Sequence, residues 1–312
     1  MNRARLFAIS NFLLVISFFL VTSVHAGVIR HDTPLSIHED LAQLPEFASV
    51  GRIVGSVGSS GFLCSGTVIS SNWVLTAGHC VDEADSLEFH EFDASGGFTS
   101  HRATHWFAHE NWSPDVDLFG GWDIGLMRFD SAFSTPAATL YNGDDDILTT
   151  SVHVGFGLTG DGTTGAQGGA GVKRAGLNII DDRWSTEGSG DQLLWSDFDH
   201  PTDDTFNFFD FPGFTFDDLA IDLEYGVAPG DSGGGLFILD QDDQFKLAGV
   251  HSFFADAIQD GLDMGYGDIF ASTRVSNFVD WIETSIASFS VSEPSLLFLG
   301  TLVLFLMRRR IC

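Results

Sequence analysis

A serine stands inside a run of glycines, Ala228-Pro229-Gly230-Asp231-Ser232-Gly233-Gly234-Gly235, and no other stretch of this chain restricts its fold as strongly. Backbone this rich in glycine reaches conformations that other residues avoid and lets a second chain approach closely. Successive N–H groups in such a turn can converge on one concavity and hold a developing negative charge. A serine hydroxyl there is a weak nucleophile until a base removes its proton, so an active site also needs a histidine and a carboxylate. Without them the run is a tight turn.

The chain around it reads as strands. Ile53-Val54-Gly55-Ser56-Val57, Phe62-Leu63-Cys64 and Thr67-Val68-Ile69 are short apolar segments separated by Gly-Ser turns. Next, Ser71 to Cys80 runs as a strand that ends at His79, and Asp123 heads the apolar strand Ile124 to Phe129. Val152 to Gly157, Leu236 to Leu239 and Phe245 to Val250 continue the pattern, the last two pairing around Asp240 to Asp243. Thr159 to Gly171 is a glycine-threonine loop. Between Asp197 and Asp222 phenylalanines alternate with acids, which predicts strands with one buried face. Helical spacing is confined to Ile37 to Leu44 and to Val275, Phe278, Val279, Ile282 and Ile286, where Ser276 is placed to cap. With 43 acidic and only 14 basic residues, a formal net charge of −29, the chain lacks the basic face that nucleic acid requires.

Both termini read as addresses. Arg3 and Arg5 precede the apolar run Leu6 to Val21, and Val24-His25-Ala26 offers small residues to signal peptidase, so residues 1–26 are expected to be removed on export. Export permits disulfides, and of the three cysteines Cys64 and Cys80 make the simplest pair, leaving Cys312 beyond an arginine-rich end. Residues 27–48 form a polar leader. At the other end Ser292-Glu293-Pro294-Ser295, the apolar run Leu296 to Met307 and Arg308-Arg309-Arg310 follow one another within residues 291–312. That run is short for a bilayer core of about 30 Å. The tail resembles the PEP-CTERM sorting signal of Gram-negative bacteria, with Ser292 in place of a proline. The resemblance implies transient association with the inner membrane, removal by an exosortase and a cell-surface or extracellular destination. A plain C-terminal anchor is the alternative.

His79, Asp123 and Ser232 occur in the order known for one form of the acyl-transfer triad. Thr76-Ala77-Gly78-His79-Cys80, Asp123-Ile124-Gly125-Leu126 and Gly230-Asp231-Ser232-Gly233-Gly234 together resemble the three motifs of the trypsin-like serine proteases, with glycine for alanine at 78 and at 125. The likeness extends over residues 49–288. It implies an all-β fold of two antiparallel six-stranded barrels, about 49–141 and 151–274, with a C-terminal helix over 275–287. It also implies a serine endopeptidase acting on proteins or peptides, with Ser232 as nucleophile, His79 as base, Asp123 as its partner and an oxyanion hole built from the N–H groups of Gly230 and Ser232. By the same register Gly226, Ser252 and Phe254 border the primary specificity pocket. Gly226 stands where trypsin-type enzymes carry aspartate, so cleavage after Arg or Lys is not expected unless Asp222 or Glu224 supplies a negative base. Asp231 is the expected partner of a buried N-terminal ammonium. Arg52-Ile53-Val54-Gly55 lies too close to Cys64 to be the activation site, which leaves Gly27-Val28-Ile29 as the candidate. No cofactor or metal is called for; Asp144-Asp145-Asp146 and Asp240 to Asp243 could hold a structural calcium, with solvated acidic turns the plainer reading. The alternative function is a catalytically inactive surface or matrix protein that keeps the fold for binding.

Overall fold

The computed structural model describes residues 27–114, 118–206, 208 and 220–290. The expected signal and sorting segments, residues 1–26 and 291–312, lie outside these, as do 207 and 209–219 of the Phe-Asp stretch.

Two curled, antiparallel seven-stranded sheets make up the body, one strand more in each than the six expected. The first runs in spatial order Phe98–Arg102, Ser86–Phe92, Val50–Val57, Ser60–Ser70, Trp73–Thr76, Gly125–Arg128, His105–Ala108. The second runs Arg174–Ile179, Thr150–Gly155, Gly235–Leu239, Phe245–Ala255, Ile269–Arg274, Leu193–Asp197, Asp182–Arg183, the last only a two-residue edge. Alternation drives both. Ile53, Val68, Val74, Leu75, Phe89 and Leu126 are buried in the first sheet, and Val152, Val154, Phe237, Leu247 and Val250 in the second. These side chains merge into one apolar cluster spanning both halves, each large one contributing about 1.5–3 kcal/mol by burial.

A third, four-stranded sheet joins Gly165–Ala166, Thr159–Asp161, Gly27–Ile29 and Tyr225–Gly226. The start of the leader is therefore a strand, parallel to Thr159–Asp161 and antiparallel to Tyr225–Gly226. Its helix spans Leu35–Ala42, shifted two residues from the expected 37–44, and His38 Nδ1 lies 2.9 Å from Ala175 O on the second sheet. At the C-terminus a 3₁₀ turn, Val275–Asn277, precedes the α-helix Val279–Ser290. The Ser276 hydroxyl does not cap it; it is buried with no partner among the described residues. Phe278 and Ile282 seat this helix in the core, and Trp281 Nε1 donates to Glu110 Oε2 at 3.1 Å. No helix among the described residues is long and apolar enough to cross a membrane.

Candidate active site

Strand register assembles the first half of the site. Trp73–Thr76 and Gly125–Arg128 are neighbours with Thr76 opposite Gly125, so the residues just after the one face those just before the other. His79 follows in a 3₁₀ turn, Gly78–Cys80, and Asp123 precedes the partner strand. The result is a two-point contact: His79 N donates to Asp123 Oδ1 at 2.9 Å and His79 Nδ1 meets Oδ2 at 2.8 Å. Cys80 in that turn is disulfide-bonded to Cys64. The two glycines that replace alanine have tight surroundings. A β-carbon at 78 would sit 3.0 Å from Trp112, and one at 125 would sit 2.6 Å from Val81.

Asp123 is wholly buried. Besides the two His79 contacts, Oδ2 accepts the Ser252 hydroxyl at 2.5 Å, and the Asp123 carbonyl accepts Thr273 Oγ1 at 2.9 Å. Ser252 reaches it because the ladder between Phe245–Ala255 and Ile269–Arg274 is irregular between His251 and Phe253. Burial opposes the charged imidazolium of His79. The charge of Asp123 and its hydrogen bond outweigh that, and the His79 pKa lies above its ordinary value.

Ser232 comes from the other half, in the turn entering Gly235–Leu239. Ser65 ties the two halves together: its N–H donates to Ser232 O at 2.8 Å and its hydroxyl to Gly230 O at 3.0 Å. Gly230 has φ +98° and Gly233 φ +81°, the region that favours glycine, and a β-carbon at 233 would strike Thr76 Oγ1. Among the described residues the N–H groups of Gly230 and Ser232 donate to no protein acceptor. Asp231 between them is fully buried and accepts from Gly157 N at 2.7 Å and Ala228 N at 3.0 Å. Burial pushes its pKa up to about 6 despite those two bonds and the neighbouring Tyr225 hydroxyl.

His79 and Ser232 line one open cleft of roughly 470 Å³ together with Trp112, Leu118, Val227, Ala228, Pro229, Ser252, Phe253 and Phe254. Ser252 and Phe254 line this cleft. Gly226 does not: it is paired with Val28, and a β-carbon there would strike Met264. Glu224 is buried and accepts from the N–H groups of Ile221 and Asp199. Its pKa is raised well above the usual range by burial and by the charge of Asp199. The Asp222 side chain is exposed. Neither lines the cleft. Trp112 and Leu118 had no sequence signal, since both sit between the strands His105–Ala108 and Gly125–Arg128, Leu118 at the start of a short 3₁₀ turn.

Residues of both acidic stretches border one surface groove, and three of their carboxylates are engaged. Asp146 pairs with Arg274 at 2.6 Å and Arg183 at 3.0 Å, and Asp144 with the same two arginines at 2.7 Å each. Asp240 bonds Lys246 and caps its own turn.

The trypsin family model matches residues 48–188. Brachyurin of Leptuca pugilator is 27% identical over 237 residues, covering 72% of this chain and 87% of that protein. Lectizyme of Glossina austeni is 33% identical over 99 residues, 28% of this chain and 33% of that protein. Among solved structures, HL collagenase superposes with a TM-score of 0.56 at 19% identity, covering 77% of this chain and 94% of that one. Neuropsin, a serine protease of mouse brain, gives 0.54 at 16% identity, with 78% and 96% covered. The chain is thus similar to the trypsin-type serine proteases over residues 48–188 and takes the chymotrypsin fold over about three quarters of its length.

Proposed function

We infer that the protein is an exported serine endopeptidase in which Ser232 attacks the peptide carbonyl, His79 moves the proton and Asp123 holds His79. The observation that carries this reading is the buried Asp123, gripping the His79 backbone and ring while Ser232 faces the same cleft. In this mechanism His79 Nε2 takes the Ser232 proton as the Oγ–C bond forms, then passes it to the leaving amine; water repeats the cycle to release the acyl group. The free N–H groups of Gly230 and Ser232 would hold the oxyanion, where one lost donor costs on the order of 3 kcal/mol. With wild-type protein a fluorophosphonate should label Ser232, and Ser232→Ala should abolish labelling without lowering Tm. An unlabelled, folded wild type would instead favour the fold kept for binding.

Selectivity for small or medium apolar side chains fits the cleft. Phe254 stands at its wall, a β-carbon on Gly226 would strike Met264, and the described residues that line the cleft include no acid. Ala- or Leu-anilides should be cleaved faster than Arg- or Lys-anilides; the reverse order would sink this assignment. For activation, signal peptidase would free the amino group of Gly27, whose strand lies against the Tyr225 ring beside Asp231. Edman sequencing of active secreted enzyme should start at Gly27. The disulfide supports export, and a PEP-CTERM tail handled by an exosortase would deliver the enzyme to the surface of a Gram-negative cell or beyond it.

A further inference from the structure

The second barrel buries two imidazoles that the acylation chemistry does not use. His153 and His251 are fully excluded from solvent and stack with ring centroids 5.2 Å apart, and His153 also stacks on Tyr225 at 6.2 Å. Both ends of this stack touch the serine turn. Tyr225 adjoins the Asp231 carboxyl, while His251 donates its backbone N–H to Gly234 O at 3.0 Å and accepts from Gly233 N at 2.8 Å. A β-carbon on Gly234 would fall 2.9 Å from His251 Nδ1 and 2.8 Å from Asp231 O, so the glycine is what admits the imidazole to the turn.

Hydrogen bonds order the protons along this path. The Ser151 hydroxyl donates to Asn178 O at 2.9 Å, so its oxygen is left to accept from His153 Nε2 at 2.8 Å. His153 Nδ1 is then a lone pair and takes the His251 Nε2 proton across 3.1 Å. His251 Nδ1 then carries a lone pair, buried against the turn beside the Asp231 carbonyl. If the Ser151 hydroxyl turns to His153 instead, every donor reverses and an Nδ1–H faces the Asp231 carbonyl. Resting on the protease reading above, we propose that Ser151, His153 and His251 form a positioning network that fixes the backbone of the Asp231–Gly234 turn and so the aim of Ser232 Oγ. Burial supports it by keeping both rings neutral, His251 down to about 3 and His153 well below its ordinary value.

The test compares wild type, His251→Phe, His153→Phe and His251→Gln by fluorophosphonate labelling rate, by kcat and KM on one peptide anilide, and by Tm. Phenylalanine keeps the ring stack and removes the chain, so labelling and kcat should fall about tenfold with KM unchanged. Glutamine restores a donor toward His153 Nδ1 and should recover most of that loss. Should His251→Phe fail to fold, His153→Phe reads the same chain one link further from the turn. In wild type, ¹⁵N shifts of the two buried imidazoles should show neutral rings protonated at Nε2 at pH 7; an imidazolium overturns the network. Wild-type labelling with equal rates in the variants, or losses that follow Tm with no rescue by glutamine, overturns this inference alone. No labelling of wild type removes the protease reading and this inference with it.

Discussion

The two barrels share one apolar core, yet they are secured by different means. The first is cross-linked by Cys64–Cys80 beside the histidine turn. The second has no disulfide among its described residues and holds its charges inside instead. Arg274 is 3% exposed and sits among Asp144, Asp146 and Asp191. Lys173 Nζ donates to Phe47 O at 2.6 Å, and burial lowers its pKa to about 7. Asp181, Asp197, Asp199 and Glu224 are buried near one another, and burial and mutual repulsion raise Asp181 and Glu224. In a chain with 14 basic residues against 43 acidic ones, interior ion pairs are a scarce resource, and they are concentrated where no covalent link exists. The difference teaches that the half without a covalent brace should be the one sensitive to pH.

The strongest way to break that contrast is Arg274→Ala, which leaves the fully buried Asp146 its longer pair with the more exposed Arg183. It should cost about 3–5 kcal/mol in urea unfolding, and a loss below about 1 kcal/mol would show the network to be ornamental. Removing the bridge with Cys64→Ser and Cys80→Ser opens a loop of 16 residues and should cost about 3 kcal/mol by the same measurement. A third test concerns pH. An acid whose folded pKa is raised binds its proton in the folded state after the unfolded chain has released it, so stability falls as pH rises from about 4 toward the folded pKa. Asp181→Asn should therefore flatten the decline of unfolding free energy between pH 5 and 9; an unchanged slope counts against a protonated Asp181. The buried histidines act in the opposite sense, with stability lost as pH falls below about 6.5. The last test stays within the first half, at the pair of His79 and Asp123. Because Asp123 raises the His79 pKa, kcat/KM should drop as pH falls through a value above 6.5, and Asp123→Asn should remove that acid limb along with most of the activity.

Much of the candidate site was legible in the sequence because it depends on local motifs. Residues 76–80, 123–126 and 230–234 each fix a turn or strand end, and their contact follows from strand register. What escaped reading depends on distant pairing. Nothing near Asp144-Asp145-Asp146 announces Arg274, which lies 128 positions beyond Asp146. Gly226 was assigned to the pocket by counting back from the serine, but the third sheet pairs it with Val28. Ser252 was assigned to the pocket alone, whereas the irregular ladder also turns its hydroxyl to Asp123. The seventh strands, one of them Asp182–Arg183, are too short for any periodicity to show.

Ser65 has a further consequence. It follows Cys64 directly and, through its N–H and hydroxyl, carries the serine turn of the opposite barrel. The cystine therefore braces more than the histidine loop, since the same strand that it anchors also helps to place Ser232 relative to His79. Reduction would loosen both at once. The bond thus works as a fastening that an oxidant closes and a reductant opens.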